Sequence, residues 1–322
     1  MTIAATPVPQ VPDAATIRRA HAAIARHGVV RETPLWKLPG ASLGLGCAEV
    51  WLKLEHLQAG GSFKARGMLN RLLAGPLTPA GVVVASGGNA GIATAVAARA
   101  LGARCEVFVP SVSSPAKQER LRVLGAHVVV AGDAYADALA ACLARQQETG
   151  ALLTHAYDQP EVVAGAGTLA LEIEAQGGVP DSVLVSVGGG GLIGGVASWF
   201  AGRSQVVALE PELAPTLHTA RAAGQPVDVS VGGVAADSLG ARRIGAIAWQ
   251  VAQRHVAQSL LLADDAIRAA QHWLWRELRL AVEPAAALPL AALQTGAYVP
   301  RADERVCLIV CGANVDPASL SS

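Results

Sequence analysis

The chain contains only four lysines, and one of them has the surroundings of a reactive amine. Arginine never deprotonates in proteins, so an amine nucleophile would have to be a lysine. Lys64 follows a glycine turn in QAGGSFKARGM and begins a helix predicted over 64–74. Desolvation and the helix N-terminus would lower its pKa, which favours imine chemistry. By contrast, alternation along a strand predicts that Lys53 and Glu55 share a solvated face, and Lys117 falls on a charged, exposed helix.

A second chemical signal is the glycine run VGGGGLIGG at 187–195, which follows a predicted strand and opens a helix. Its backbone N–H groups could cradle a phosphate, and glycine permits the close approach. The same run also satisfies G-x-G-x-x-G through Gly189, Gly191 and Gly194, with Glu210 about 20 residues later where a ribose-binding acid would lie. A nicotinamide-dependent oxidoreductase, or a plain tight turn, therefore remains an alternative at this stage.

Three further segments carry groups that could bind a ligand. ASGGNAG at 85–91 is another strand, turn and helix, where Asn89 and Ser86 could bind a carboxylate or simply cap the helix. Glu283 precedes a proline after an apolar run. Cys311 ends a predicted buried strand, where ligands sit in parallel sheets, although a lone buried cysteine usually packs in the core.

The composition indicates which elements position these groups. The 322 residues are 52% apolar, 16% charged and 4% aromatic, with 34 glycines, which is typical of an α/β protein with buried parallel strands. Net charge is zero, which argues against nucleic-acid or anionic-membrane partners. Five cysteines without C-x-x-C indicate neither disulfides nor zinc, so a cytoplasmic location is expected. Residues 1–12 read as a loose tail without the pattern of a secretory signal.

Strand and helix signals alternate along most of the chain, which predicts parallel βαβ units with helices on both faces. Two uncharged stretches, 72–98 and 182–202, are long enough to span a bilayer, but each reads better as strand, glycine turn and helix. After the strand at 49–57, strands are predicted at 82–86, 105–110, 126–132, 151–157, 182–187, 205–210 and 306–311. Helices are predicted from Asp13 to His27 and at 115–124, 134–149, 160–176, 192–201, 239–255, 264–279 and 284–293.

Taken together, the motifs resemble one enzyme family. S-F-K-x-R-G at 62–67, S-G-G-N-A-G at 86–91 and G-G-G-G-L-I-G-G at 188–195 occur in the order found in the serine/threonine dehydratase and serine racemase branch of the fold-type-II, tryptophan synthase β-like pyridoxal-phosphate enzymes. EPAAA at 283–287 and CGAN at 311–314 are similar landmarks. The resemblance covers nearly the whole chain. It implies a large cofactor-binding domain (1–72 plus 153–322) and a small mobile domain (73–152) that carries the substrate loop.

The resemblance also implies a role for each site residue. Lys64 would hold pyridoxal 5'-phosphate as a Schiff base and later act as the general base. The cofactor would further contact Phe63 at its ring, Asn89 at its ring hydroxyl, Cys311 at its ring nitrogen and Glu283 near the ring edge, and its phosphate would bind to Gly188, Gly189, Gly190 and Gly191. The substrate carboxylate would bind to Ser86, Gly87, Gly88, Asn89 and Ala90.

The implied activity is elimination of water from a small, serine- or threonine-like amino acid, giving a 2-keto acid and ammonia. A cytoplasmic homodimer with no nucleic-acid or membrane partner is expected. Alternatives are a racemase, or a dehydratase for a bulkier substrate such as hydroxyaspartate, phenylserine or a hydroxyectoine-derived amino acid. A non-enzymatic binding protein is disfavoured by Lys64 lying near anion-cradling glycines.

Several residues depart from the family pattern. Gly87 stands where the racemase carries a serine, and Ala90 where threonine dehydratases often carry histidine. Gly61 replaces the usual threonine and is expected to loosen its turn. Glu210 and Ala214 could hold a monovalent cation, whereas Thr216 replaces the aspartate that a divalent site would need.

Overall fold

A computed structural model describes residues 10–320, so nine of the twelve residues predicted as a loose tail, residues 1–9, lie outside the described residues. Within residues 10–320 the chain forms ten strands, twelve α-helices and four short 3-10 helices. The strands are β1 (Leu35–Pro39), β2 (Glu49–Lys53), β3 (Val82–Ala85), β4 (Cys105–Val109), β5 (His127–Val130), β6 (Leu152–Thr154), β7 (Ser182–Ser186), β8 (Gln205–Pro211), β9 (Val256–Leu262) and β10 (Arg305–Ile309). The helices are α1 (Ala14–Ala25), α2 (Lys64–Leu73), α3 (Asn89–Ala100), α4 (Pro115–Val123), α5 (Tyr135–Thr149), α6 (Pro160–Gly177), α7 (Gly191–Phe200), α8 (Thr216–Ala223), α9 (Ala236–Leu239), α10 (Ala246–His255), α11 (Asp264–Leu278) and α12 (Pro284–Gln294).

The strands form two sheets, which confirms the predicted α/β class with mostly parallel strands. One sheet has the order β1-β2-β10-β7-β8-β9 and is parallel except for the antiparallel edge strand β1. The other has the order β5-β4-β3-β6 and is wholly parallel. The second sheet uses only strands between residues 82 and 154. Division of the chain into a large domain and a mobile small domain stays a prediction.

The helix that carries Lys64 is packed unusually closely against α6. A Cβ atom added to Gly165 on α6 would lie 2.5 Å from the carbonyl oxygen of Arg66 on α2, so the two backbones touch. Gly67 repeats this contact from the other side, because a Cβ there would lie 2.7 Å from the carbonyl oxygen of Val162. Small residues on both helices therefore fix the position of α2, and with it the start of the helix at Lys64.

The two uncharged stretches fold as the sequence predicts, and no helix within residues 10–320 is long and apolar enough to cross a membrane. The helix predicted at 239–255 is wrong, because the chain there forms the short α9 and then α10. The side chain of Asp158 accepts hydrogen bonds from the first amides of α10, Ala246 and Ile247, at 2.9 and 3.0 Å. β1, α8 and β9 were not predicted.

The prediction that Lys53 and Glu55 are solvated is also wrong, since both are completely buried. Lys53 donates to Glu172 at 2.7 Å, and Arg66 binds Glu55 through two nitrogen atoms, each at 2.7 Å. Arg66 also binds Glu172 at 2.6 Å, which links all four side chains into one buried ion cluster. A parallel sheet is buried on both faces, so the polar position Lys53 on β2 does not mark a solvent-exposed face, and Glu55 lies beyond β2, at the start of a short 3-10 helix. Each buried charge is instead neutralised by an opposite one.

Candidate active site

Lys64 lies at the first position of α2, after a turn in which Gly60 and Gly61 have positive φ values of 72° and 77°. The amide of Phe63 donates to the carbonyl oxygen of Cys311 at 3.0 Å, which ties this turn to the end of β10. The Lys64 amine donates to the carbonyl oxygen of Ala156 at 2.6 Å. Desolvation lowers the pKa of Lys64 to about 8. The neutral amine that imine chemistry requires is therefore far more abundant near neutral pH than in an ordinary lysine.

The four consecutive glycines span the turn between β7 and the first residue of α7, and their surroundings leave little or no room for side chains. A Cβ on Gly189 would lie 2.3 Å from the ring of Tyr157, and one on Gly190 would lie 2.4 Å from the Cβ of Ala248. Gly190 also has a φ of 91° and directly precedes α7. All four glycines line the pocket, and the backbone N–H groups at a helix start suit a phosphate group.

Asn89, Glu283 and Cys311 form a further wall of the pocket. The Asn89 amide nitrogen donates to both carboxyl oxygens of Glu283, at 2.9 and 3.0 Å. Burial raises the pKa of Glu283 to about 7. Burial, reinforced by the Glu283 charge, raises the pKa of the Cys311 thiol well above its usual value. Cys311 is therefore a neutral thiol, a weak partner for a ring nitrogen.

The structure brings the residues of the predicted cofactor site into a single pocket. Its lining includes Phe63, Lys64, Asn89, Gly188, Gly189, Gly190, Gly191, Glu283 and Cys311. It also includes six residues that sequence reasoning did not place there, namely Tyr157, Ser186, Leu192, Ser238, Leu239 and Ala285. Tyr157 could have been found from the segment AYDQPEVVAGAGT at 156–168, which begins just after β6 and resembles the family in the same way as the landmarks named above. Ser238 lies in a helix of four residues and gave no sequence signal.

The predicted substrate loop connects β3 to α3. Gly87, Gly88 and Asn89 line a cavity of about 590 Å³ that shares Asn89 and Glu283 with the cofactor pocket. The hydroxyl of Ser86 accepts from the amide of Gly88 at 3.3 Å. The side chain of Ala90 is buried in an apolar cluster, so only its backbone could serve a ligand.

The side chain of Glu210 makes hydrogen bonds that stabilise the fold. Its carboxylate accepts from the amides of Leu217 and His218 at the start of α8, at 2.6 and 2.8 Å, and from the Ser259 hydroxyl at 3.2 Å. Both oxygens are thus used, which does not suit a ribose-binding acid. Ala214 is buried, and within residues 10–320 no group of three or more His, Cys, Asp or Glu residues could hold a metal ion. The cation at Glu210 and Ala214 stays a prediction.

The fold and the pocket are those of an enzyme class that combines a lysine amine with a phosphate-binding glycine turn. Residues 27–312 match the family described as "Pyridoxal-phosphate dependent enzyme", and the chain belongs to that family. Its cofactor is pyridoxal 5'-phosphate, and its fold is fold type II.

Two curated relatives and two solved structures illustrate the similarity. The chain is 36% identical over 297 residues to phenylserine dehydratase of Ralstonia pickettii, covering 91% of this chain and 90% of the relative. It is 34% identical over 279 residues to L-threonine ammonia-lyase of Geobacter sulfurreducens, covering 84% and 69%. Maize serine racemase superposes with a TM-score of 0.90 at 30% identity, covering 97% of this chain and 96% of that one. The processed form of threonine deaminase isoform 2 from Solanum lycopersicum gives a TM-score of 0.86 at 28% identity, covering 97% and 88%.

Proposed function

We propose that the chain eliminates water from a small β-hydroxy amino acid and releases a 2-keto acid and ammonia. The single observation that carries this proposal is the shared pocket, in which the Lys64 amine lies with the tetraglycine turn, Asn89 and the Cys311 thiol. The dehydratase and ammonia-lyase names of the relatives support it.

Each chemical group of the cofactor has a matching residue in the pocket. Lys64 would hold the aldehyde carbon, and the N–H groups of Gly188, Gly189, Gly190 and Gly191 would hold the phosphate. Asn89 would bind the ring hydroxyl, and Cys311 would face the ring nitrogen. Phe63 would pack near the ring, and Glu283 would lie close to its edge. When bound, the cofactor stabilises negative charge at the Cα atom of the substrate.

The chain's own residues would then carry the elimination. The loop of Ser86, Gly87, Gly88, Asn89 and Ala90 would hold the substrate carboxylate. Once the substrate's amino group has taken its place on the cofactor, the Lys64 amine would be free to remove the Cα proton, for which a pKa of about 8 is well matched. The bond from Cβ to the hydroxyl oxygen breaks, and the hydroxide leaves with a proton as water. The enamine that remains is hydrolysed to the 2-keto acid and ammonium.

Racemisation is the second candidate, because maize serine racemase superposes closely on this chain. A racemase needs an acid or base on each face of Cα. Lys64 would serve one face, but Gly87 has no hydroxyl to serve the other. This departure favours elimination over racemisation.

The test combines covalent trapping with turnover. Borohydride reduction of the loaded enzyme followed by peptide mass spectrometry should find the cofactor on Lys64. Lys64→Ala should abolish the imine absorbance and keto-acid formation from serine and threonine, while circular dichroism stays unchanged. Lys37→Ala is the matched control, since Lys37 is an exposed residue on the edge strand β1. Keto-acid formation retained in Lys64→Ala would refute the assignment.

We further propose that the enzyme is a cytoplasmic homodimer in which residues 73–152 move as a small domain over the substrate. Support comes from the resemblance to the family. Light scattering after size-exclusion chromatography tests the dimer, and a monomer of 32.7 kDa would contradict it.

A further inference from the structure

The cavity beside the substrate loop has a distinct charge pattern. It measures about 590 Å³ and lies between α4, α11 and the segment that follows β10. Its lining includes three cations, Lys117, Arg120 and Arg268, and none of the described residues that line it is aromatic. Lys117 is already neutralised by Asp237, with 2.9 Å between the amine and the carboxylate. The two arginines are the remaining cations of the lining.

Neither arginine has an acidic partner among residues 10–320. Arg120 donates a single side-chain hydrogen bond, at 2.6 Å, to the amide oxygen of Asn314, which leaves most of its five N–H donors free. Arg268 makes no side-chain hydrogen bond or ion pair within the described chain. The other acids of the lining are Glu283, which accepts from Asn89 of the same lining, and Asp316, which accepts from the amide of Ala318 at 3.0 Å; neither contacts an arginine of the cavity.

Arg120 is held close to the substrate loop by one intervening side chain. The Asn314 amide nitrogen donates to Asn89 at 2.5 Å and to the carbonyl oxygen of Gly60 at 2.9 Å, while its oxygen receives Arg120. The guanidinium is thus separated from Asn89 by a single amide group.

Gly61 explains how this amide fits. A Cβ at position 61 would lie 2.5 Å from the Asn314 oxygen that accepts from Arg120. The threonine usual in the family would therefore collide with this arrangement. Gly61 was expected to loosen its turn, but here it leaves room for Asn314 and so for Arg120.

We propose that the substrate is a β-hydroxy amino acid with a second carboxylate on Cβ, and that Arg120 binds this carboxylate, with Arg268 on α11 adding positive charge to the same cavity. The inference rests on the proposed function and names its substrate class. The Cα–H and Cβ–OH bonds break, one water leaves, and a second water hydrolyses the resulting imine to a keto diacid and ammonium. No oxidant or reductant is needed. An aromatic substituent would find no ring to pack against in this cavity.

The first measurement compares kcat/KM for keto-acid formation by the loaded wild-type enzyme. The substrates are 3-hydroxyaspartate, serine, threonine and phenylserine, each as its separate stereoisomers. We expect one 3-hydroxyaspartate isomer to exceed the other three amino acids by about tenfold or more, as a hydrogen-bonded charge pair implies. The preference should shrink as salt is added, because the pair is partly exposed.

The second measurement uses variants of α4. Arg120→Gln should lower kcat/KM for 3-hydroxyaspartate by roughly 10- to 100-fold and lower that for serine far less. Arg120→Lys should restore part of the preference, because it keeps the charge but not the fork of donors. Arg122→Gln is the matched control, since Arg122 is on the same helix, pairs with Glu119 and is absent from the cavity lining. It should leave every rate unchanged.

A binding assay without turnover completes the test. Calorimetry should show succinate binding to the wild-type holoenzyme more tightly than butyrate, and Arg120→Gln should abolish the difference. Keto acid from serine or threonine but not from 3-hydroxyaspartate would overturn this inference and leave the proposed function intact. An equal loss on every substrate in Arg120→Gln would overturn it too. No keto acid from any substrate would overturn both.

Discussion

Removing one charge from the buried ion cluster should strongly destabilise the protein. Glu172 lies on α6 and is 4% exposed. Its carboxylate accepts from the Lys53 amine at 2.7 Å and from two nitrogen atoms of Arg66 at 2.6 and 2.7 Å. Glu172→Gln keeps the shape but leaves two buried cations facing the single carboxylate of Glu55. The amide nitrogen of the new side chain would also oppose the donors that it meets.

The magnitude follows from burial. Breaking a buried ion pair by removing one partner costs about 3–5 kcal/mol, because the remaining charge stays desolvated. For a chain of this size, that loss corresponds to a fall in melting temperature of roughly 4–7 °C. The assay is denaturant unfolding of the loaded enzyme, followed by tryptophan fluorescence and circular dichroism, with the midpoint and the slope fitted separately.

The matched control is an exposed ion pair. Arg243 and Asp228 lie 3.1 Å apart, and their side chains are 54% and 65% exposed. Asp228→Asn should change the free energy of unfolding by less than about 1 kcal/mol. If Glu172→Gln costs no more than Asp228→Asn, the four buried charges do not form the interdependent cluster described above.

Three further changes test the site. Gly189→Ala should prevent cofactor binding, because its Cβ would lie 2.3 Å from Tyr157, and the loss is measured by the imine absorbance. Gly46→Ala is the control and should have no effect, because no atom lies within 4 Å of the added Cβ. Gly87→Ser should add racemisation of serine, measured by chiral chromatography. The new side chain can be accommodated, because the added Cβ would meet its neighbours at an ordinary 3.4 Å. If no D-serine forms, this position has no role in racemisation. The folded-state pKa of Glu283 is raised from 4.5 to about 7, so its stabilising contribution is present below pH 4.5 and is lost as the pH rises through 7. In protein stripped of cofactor, the stability of wild type should therefore fall by about 3 kcal/mol relative to Glu283→Gln across that window, and parallel curves would contradict this.

The motifs that make turns were predictable, because their chemistry is local. Consecutive glycines between a strand and a helix restrict what the backbone can do, whatever the rest of the chain does. The structure accordingly shows a strand, a turn and a helix at both glycine-rich segments.

Residues whose role depends on distant partners were not predictable in the same way. Lys53 and Glu55 follow a polar alternation that fits a wet face, but their partners Arg66 and Glu172 come from two helices whose packing no local pattern reveals. The contact of Tyr157 with Gly189 and the hydrogen bond from Arg120 to Asn314 also join residues that are far apart in the sequence, so no local pattern predicts them.

The order of strands in the two sheets explains why segments far apart in the sequence come together in this site. In the larger sheet, β2, β10 and β7 are adjacent and parallel, so their carboxyl ends deliver the Lys64 turn, Cys311 and the tetraglycine turn to one edge. In the smaller sheet, the adjacent strands β3 and β6 deliver Asn89 and Tyr157 in the same way. Ligands bind where parallel strands end. The order β2-β10-β7 pairs the first of these strands with the last in the chain, which alternation of strand and helix signals cannot predict. The motifs in the sequence therefore predict the individual segments of the site, whereas the strand order of the two sheets determines that these segments come together.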